Sequence, residues 1–216
     1  MLPSVGRAAT PEELRIAIEQ KTKELNEINV KIQDTQRNLF ALDQTGKTLN
    51  REIKKIDYQV SQLGLGIRSS EIKIEKLKLE IESLQYDIAD KSQIIGTKRE
   101  SISAFLRELQ NKQRETLLLI LLQNKSLAES LFESQSIANI NEQLTEEVNE
   151  LEDVRQELNS TLDQRSIKKT QIEAESRSLK NKKTLSEEQR AERQELFQTT
   201  KSQEKVYQQQ LKDLER

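Results

Sequence analysis

The chain has 216 residues, of which 33% are charged, 33% hydrophobic and 3% aromatic, with five Gly, two Pro and no Trp. That is the profile of long helices rather than of a mixed globule. Its 35 Lys and Arg nearly cancel 37 Asp and Glu, so net charge gives no pull toward nucleic acid or anionic lipid, and the lack of both Cys and His excludes thiolate or imidazole zinc sites and Ser-His or Cys-His catalytic pairs within this chain.

Residues 1–10, MLPSVGRAAT, read as a flexible tail without the apolar core of a signal peptide. No apolar run approaches the roughly 18 residues needed to span a bilayer. Thr10-Pro11-Glu12-Glu13 is a strong helix start. Thr10 can cap, Pro11 suits the first helical position, where no amide partner is needed, and Glu13 completes a capping box.

From Ile18 to Leu109 a heptad runs without a break through fourteen positions spaced seven apart, thirteen of them aliphatic and the exception Gly46. A companion set three residues later includes Ile28, Ile56, Leu63, Leu77 and Leu84, together with Lys21, Lys91 and Lys98. This regular spacing argues against disorder. It predicts a single ascending helix over 11–113, supercoiled to the left and on the order of 140 Å long. Isoleucine at the first heptad position with leucine at the second is the pattern of two-stranded packing. Gly46, Gly64, Gly66 and Gly96 interrupt the arm, and Leu63-Gly64-Leu65-Gly66 is either a soft point or a place of close helix approach.

Residues 114–143 depart from the heptad. Six apolar residues in a row, Leu117 to Leu122, cannot all face one partner helix, because a two-stranded seam takes two positions in seven. Either the segment folds on itself as an apolar lobe or it presents a surface to another protein. Ser126 with Glu129 makes a second capping box, opening a short helix that carries Leu127, Leu131 and Phe132. Two or three short helices are therefore expected in the lobe. Its candidate partner-binding residues are Leu118, Leu121, Leu122, Leu127, Leu131 and Phe132.

A descending helix over 144–216 resumes the heptad with Leu144, Val148, Leu151, Leu158, Leu162, Ile172, Leu179, Phe197 and Tyr207 in one frame. The same frame holds Arg155, Arg165, Lys169, Lys183, Arg190 and Arg193. Such a polar seam needs the stronger first arm as its partner, and a tethered partner avoids the entropy of joining two chains. The expectation is all-α: a long two-stranded antiparallel coiled-coil hairpin with a small helical lobe at its apex. Pairing Leu109 with Leu144 makes facing residue numbers sum to about 253. That register sets Tyr207 against Gly46 and leaves the turns after Pro11 overhanging Arg216, as though the polypeptide continued. Acids dominate Glu142 to Glu157 and bases Arg165 to Lys183. These charges read as solvated faces and interhelical pairs, since no aromatic interleaving for base stacking accompanies them.

Two stretches carry a resemblance. LLLILLQNKSLAESLFESQSIANINEQLTEEV, through Leu121, Leu122, Lys125, Ser126, Leu127, Leu131 and Ile140, resembles the coiled-coil segment of bacterial peptidoglycan hydrolases and murein hydrolase activators. TTKSQEKVYQQQLKDL, through Thr200, Lys201, Gln203, Glu204, Tyr207 and Leu211, is similar to the stretch that closes that coiled coil ahead of a lysostaphin-type zinc peptidase domain. The resemblance implies an exported module, freed of its signal peptide. It would be recruited by the extracytoplasmic domain of the ABC-transporter-like cell-division complex FtsEX, acting on a downstream peptidase domain or on an amidase. None of that peptidase's zinc ligands maps onto a chain without His, so the resemblance implies no catalytic residue, metal or cofactor here. The alternative is a cytosolic structural tether that homodimerises along residues 11–113.

Overall fold

A computed structural model describes residues 9–43, 49–113 and 127–214, with side chains at 40–50, 112–131, 133, 200 and 203–216 outside the description. The protein is all-α. Three helices make up the described residues: α1 (Pro11–Asp43), α2 (Leu49–Gln113) and α3 (Leu127–Leu214). The capping box forms as the sequence requires: the Glu13 amide donates to Thr10 Oγ1 at 3.3 Å, and the Thr10 amide donates to Glu13 Oε2 at 2.7 Å.

Residues 11–113 are not one ascending helix. α1 ends at Asp43 and α2 begins at Leu49, with Gly46 at the centre of the intervening polar pentapeptide. α1 then packs back along α2: Lys21 Nζ reaches Glu75 at 2.9 Å, and later α1 residues (Glu27, Ile28, Lys31) border a cleft with earlier α2 residues (Leu65, Arg68, Ile72). The first turns after Pro11 therefore have a partner and form no overhang. Hydrophobic spacing could not reveal this, because the heptad phase of α1 continues into α2 across the break.

The chain divides into two compact units, residues 1–83 with 167–216, and residues 84–166. In the first unit α2 carries two buried stripes. One follows the expected heptad through Ile53, Ile56, Val60, Leu63, Ile67, Ser70, Ile74 and Leu77, all buried or half-buried. The other runs through Leu65, Ser69, Ile72, Lys76 and Leu79 with the same alternation of four and three. Leu14, Ile18, Lys21, Leu25, Ile28 and Ile32 on α1 repeat that spacing. Leu14 and Ile72 are each only 1% exposed. An open groove of about 460 Å³ borders all three helices, with Leu25, Leu77 and Ala174 among its lining residues. Against α3, pairs at Glu80–Lys168 (2.7 Å), Glu71–Lys183 (3.1 Å) and Ser70–Lys182 (2.7 Å) define an antiparallel register, and Asp57 also pairs with Arg193.

Among the described residues of the second unit, α2 and α3 pack antiparallel, through Lys91–Glu157 at 3.5 Å and Lys98–Glu147 at 3.3 Å. Across these polar pairs, facing residue numbers sum to between 245 (Lys98 with Glu147) and 254 (Glu71 with Lys183). The buried stripes align where the sum is about 249, which sets Leu109 level with Ile140, exposed by 7% and 6%. This is one helical turn from the expected Leu109–Leu144 register; Gly46 opposite Tyr207 lies outside the described residues.

Two further expectations change. Residues 127–143 are the opening turns of the 88-residue α3 rather than separate short helices, while 114–126 fall outside the description. α2 also runs unbroken through Gly64, Gly66 and Gly96, none with positive φ. Of these three, Gly66 has a neighbour, the Lys182 side chain with Cδ 3.7 Å from the position a Cβ would take, an ordinary contact rather than close helix approach; nothing comes within 4 Å at Gly64 or Gly96.

Candidate docking surface and the polar clamp on α3

Of the six residues expected to anchor a partner, Phe132 is the one whose side chain is described, and it is 81% exposed. Leu127 and Leu131 lie in the first turns of α3 with side chains outside the description, and Leu118, Leu121 and Leu122 fall outside it altogether. Two turns beyond Phe132, Ile140 is 6% exposed. The start of α3 thus has an inward aliphatic at the seam and an outward aromatic ring. Burying such a ring is worth about 1.5–3 kcal/mol.

Behind this point the α3 seam follows Ile140, Leu144, Glu147, Leu151, Val154, Leu158 and Thr161, spaced alternately by four and three. The first heptad set, Leu144, Leu151 and Leu158, is the expected one, but its companion is shifted by one residue. Val148 and Leu162 are 45% and 41% exposed, and Phe197 in the other unit is 45% exposed. Glu147, Thr161 and Leu196 occupy the inner positions instead. Apolar spacing suggested the 148 frame because it counts only hydrophobic atoms. Of these inner residues, Glu147 meets a polar partner on α2, Lys98 at 3.3 Å, while the Thr161 hydroxyl donates to the Glu157 carbonyl of its own helix.

Lys98 is a seam lysine whose ammonium donates to Glu147 at 3.3 Å and also to Glu150. Hydrogen bonding to Glu150 first, and then to Glu147, holds the Lys98 ammonium above its ordinary range. Lys91, one heptad earlier, pairs with Glu157 at 3.5 Å. Lys91 and Lys98 already interrupt the α2 companion set in the sequence, but which acids meet them depends on the register, so the clamp was not legible there. In the other unit Lys21 makes an analogous contact. Glu75 first, then Glu24, raises its pKa, and Lys21 in turn lowers that of Glu75.

No group of three or more Asp or Glu able to hold a metal occurs among the described residues, and no described helix is long and apolar enough to cross a membrane. Comparisons with protein families, curated proteins and solved structures find no match.

Proposed function

We propose that the chain is a regulatory and recruitment coiled-coil module of a peptidoglycan hydrolase or murein hydrolase activator in bacterial cell division. On this reading it works outside the cytoplasm and docks on the extracytoplasmic domain of FtsEX through residues 114–143. The observation that carries the docking surface is Phe132, 81% exposed at the start of α3, in a chain that buries aliphatics as small as Ile140 nearby. Recognition of this kind lays apolar side chains into a groove while flanking charges set orientation. The identity of the partner rests on the sequence resemblance through Leu121, Leu122, Lys125, Ser126, Leu127, Leu131 and Ile140. No catalytic role is proposed for the chain itself.

The experiment is a binding measurement between the full chain and the purified extracytoplasmic domain of such a complex. Phe132→Glu and Leu122→Glu are each expected to abolish binding with helicity by circular dichroism intact. Wild-type binding by both variants overturns the anchor assignment.

The competing reading, a cytosolic tether homodimerising along 11–113, needs a free seam on that segment. Ile53, Ile56, Ile72 and Leu109 are buried at 8% exposure or less within a single chain, which favours the module. Light scattering separates the two: a monomer of 25.1 kDa supports the module, and a dimer supports the tether.

A further inference from the structure

We propose that, within residues 84–166, α3 has two nearly equivalent seams, and that Lys91 and Lys98 act as the latch selecting between them. The occupied seam combines Leu144, Leu151 and Leu158 with Ile140, Glu147, Val154 and Thr161. Turning α3 by about 50°, half the step between successive residues, keeps the three leucines central. It exchanges the second set for Asn141, Val148, Arg155 and Leu162, the next residue in each case. Each set holds two aliphatic and two polar residues, so hydrophobic burial barely distinguishes them.

The polar groups do distinguish them. Thr161 is buried at 8% exposure, but its hydroxyl donates back to the Glu157 carbonyl at 2.8 Å rather than across to α2. The cross-helix selection therefore falls on Glu147 and Glu150 at Lys98, and on Glu157 at Lys91. All three acids lie on the side of α3 that the turn carries away from α2. Val148 and Leu162, 45% and 41% exposed, lie on the side it brings in. Releasing the two lysines thus buries Val148 and Leu162, frees three carboxylates and exposes Ile140 and Val154. Any ligand or partner that captures those carboxylates favours the turned state by its differential affinity.

The test uses the absence of native cysteine. Single substitutions Val148→Cys and Val154→Cys are introduced into the full chain and their alkylation rates compared. With both lysines present, Val148→Cys is expected to react faster than Val154→Cys. Adding Lys91→Met with Lys98→Met removes the latch and keeps helix propensity, and should shift the rate ratio about tenfold toward Val154→Cys. Roughly 1 M salt, which screens charges beyond about 3 Å, should move the ratio the same way with the lysines intact. An unchanged ratio under both conditions overturns the proposal. So does fast reaction at both positions, the mark of a melted pair rather than a turned one.

Discussion

The two units bury their helices by different means, although α2 and α3 supply both. In residues 1–83 with 167–216, α2 is covered on two faces, and Ile72, Ser69 and Ser70 reach 1%, 5% and 0% exposure. Among the described residues of 84–166 one partner covers one face, and apart from Leu109, Ile140 and Thr161 the seam is only half-buried. The α3 seam is conversely more polar where it is better covered: Lys168, Glu175, Lys182, Ser186, Gln189 and Arg193 line it beside Ile172, Leu179 and Leu196 in the first unit, against Ile140, Leu144, Leu151, Val154 and Leu158 beside Glu147, Thr161 and Arg165 in the second. A third helix allows α3 to be polar there, because α1 supplies Leu14, Ile18, Leu25 and Ile28. Charge divides too. Residues 84–166 carry fifteen acids and nine bases, leaving twenty-two acids and twenty-six bases elsewhere.

The largest expected effect tests whether burial by the third helix is the main difference. Ile72→Ala should cost about 2–5 kcal/mol and release α1, read as lost amide protection over 11–43. The matching change in the two-helix unit, Ile95→Ala, should cost less than half as much, because Ile95 is only half-buried. Equal costs would erase the distinction.

Next come the glycines, which test whether α2 is ordinary helix in both units. Gly64→Ala and Gly96→Ala have open space for the added methyl and helical φ. Each is expected to stabilise by about 1 kcal/mol in denaturant titrations. A loss at Gly64 alone would restore a special role for that stretch.

Thr10→Ala should cost about 1 kcal/mol by removing the cap of α1, with faster exchange confined to the first turns. The same cap responds to pH. The backbone hydrogen bond from Thr10 lowers the Glu13 pKa, so its contribution is present above the usual carboxylate range and is lost as pH falls through the lowered value. Acidification should loosen the start of α1, and Glu13→Gln should remove that dependence.

The smallest effect tests the polar seam of the first unit. Lys182→Met removes the 2.7 Å hydrogen bond to Ser70 but keeps the aliphatic stem over Gly66, so about 1 kcal/mol or less should be lost. A larger loss would make Lys182 a determinant of register.

Periodicity and local chemistry carried much of this structure. The all-helical class, the Thr10 and Glu13 cap, both heptad sets of α2 and the leucine set of α3 follow from residue types at fixed spacing, since those preferences act over a few turns. Phe132 stood out in sequence as part of a segment too apolar for one seam, but whether it faced a lobe core or solvent was open, and its 81% exposure comes from the structure. The return of α1 was not legible, because an unbroken heptad phase describes one long helix and a folded-back helix equally well. Spacing also put Val148 rather than Glu147 at the inner position of α3, whereas Val148 is 45% exposed and Glu147 faces the seam. That choice belongs to tertiary structure, because Glu147 is stabilised inside by Lys98, a residue 49 positions away in the chain whose approach only the packed register creates.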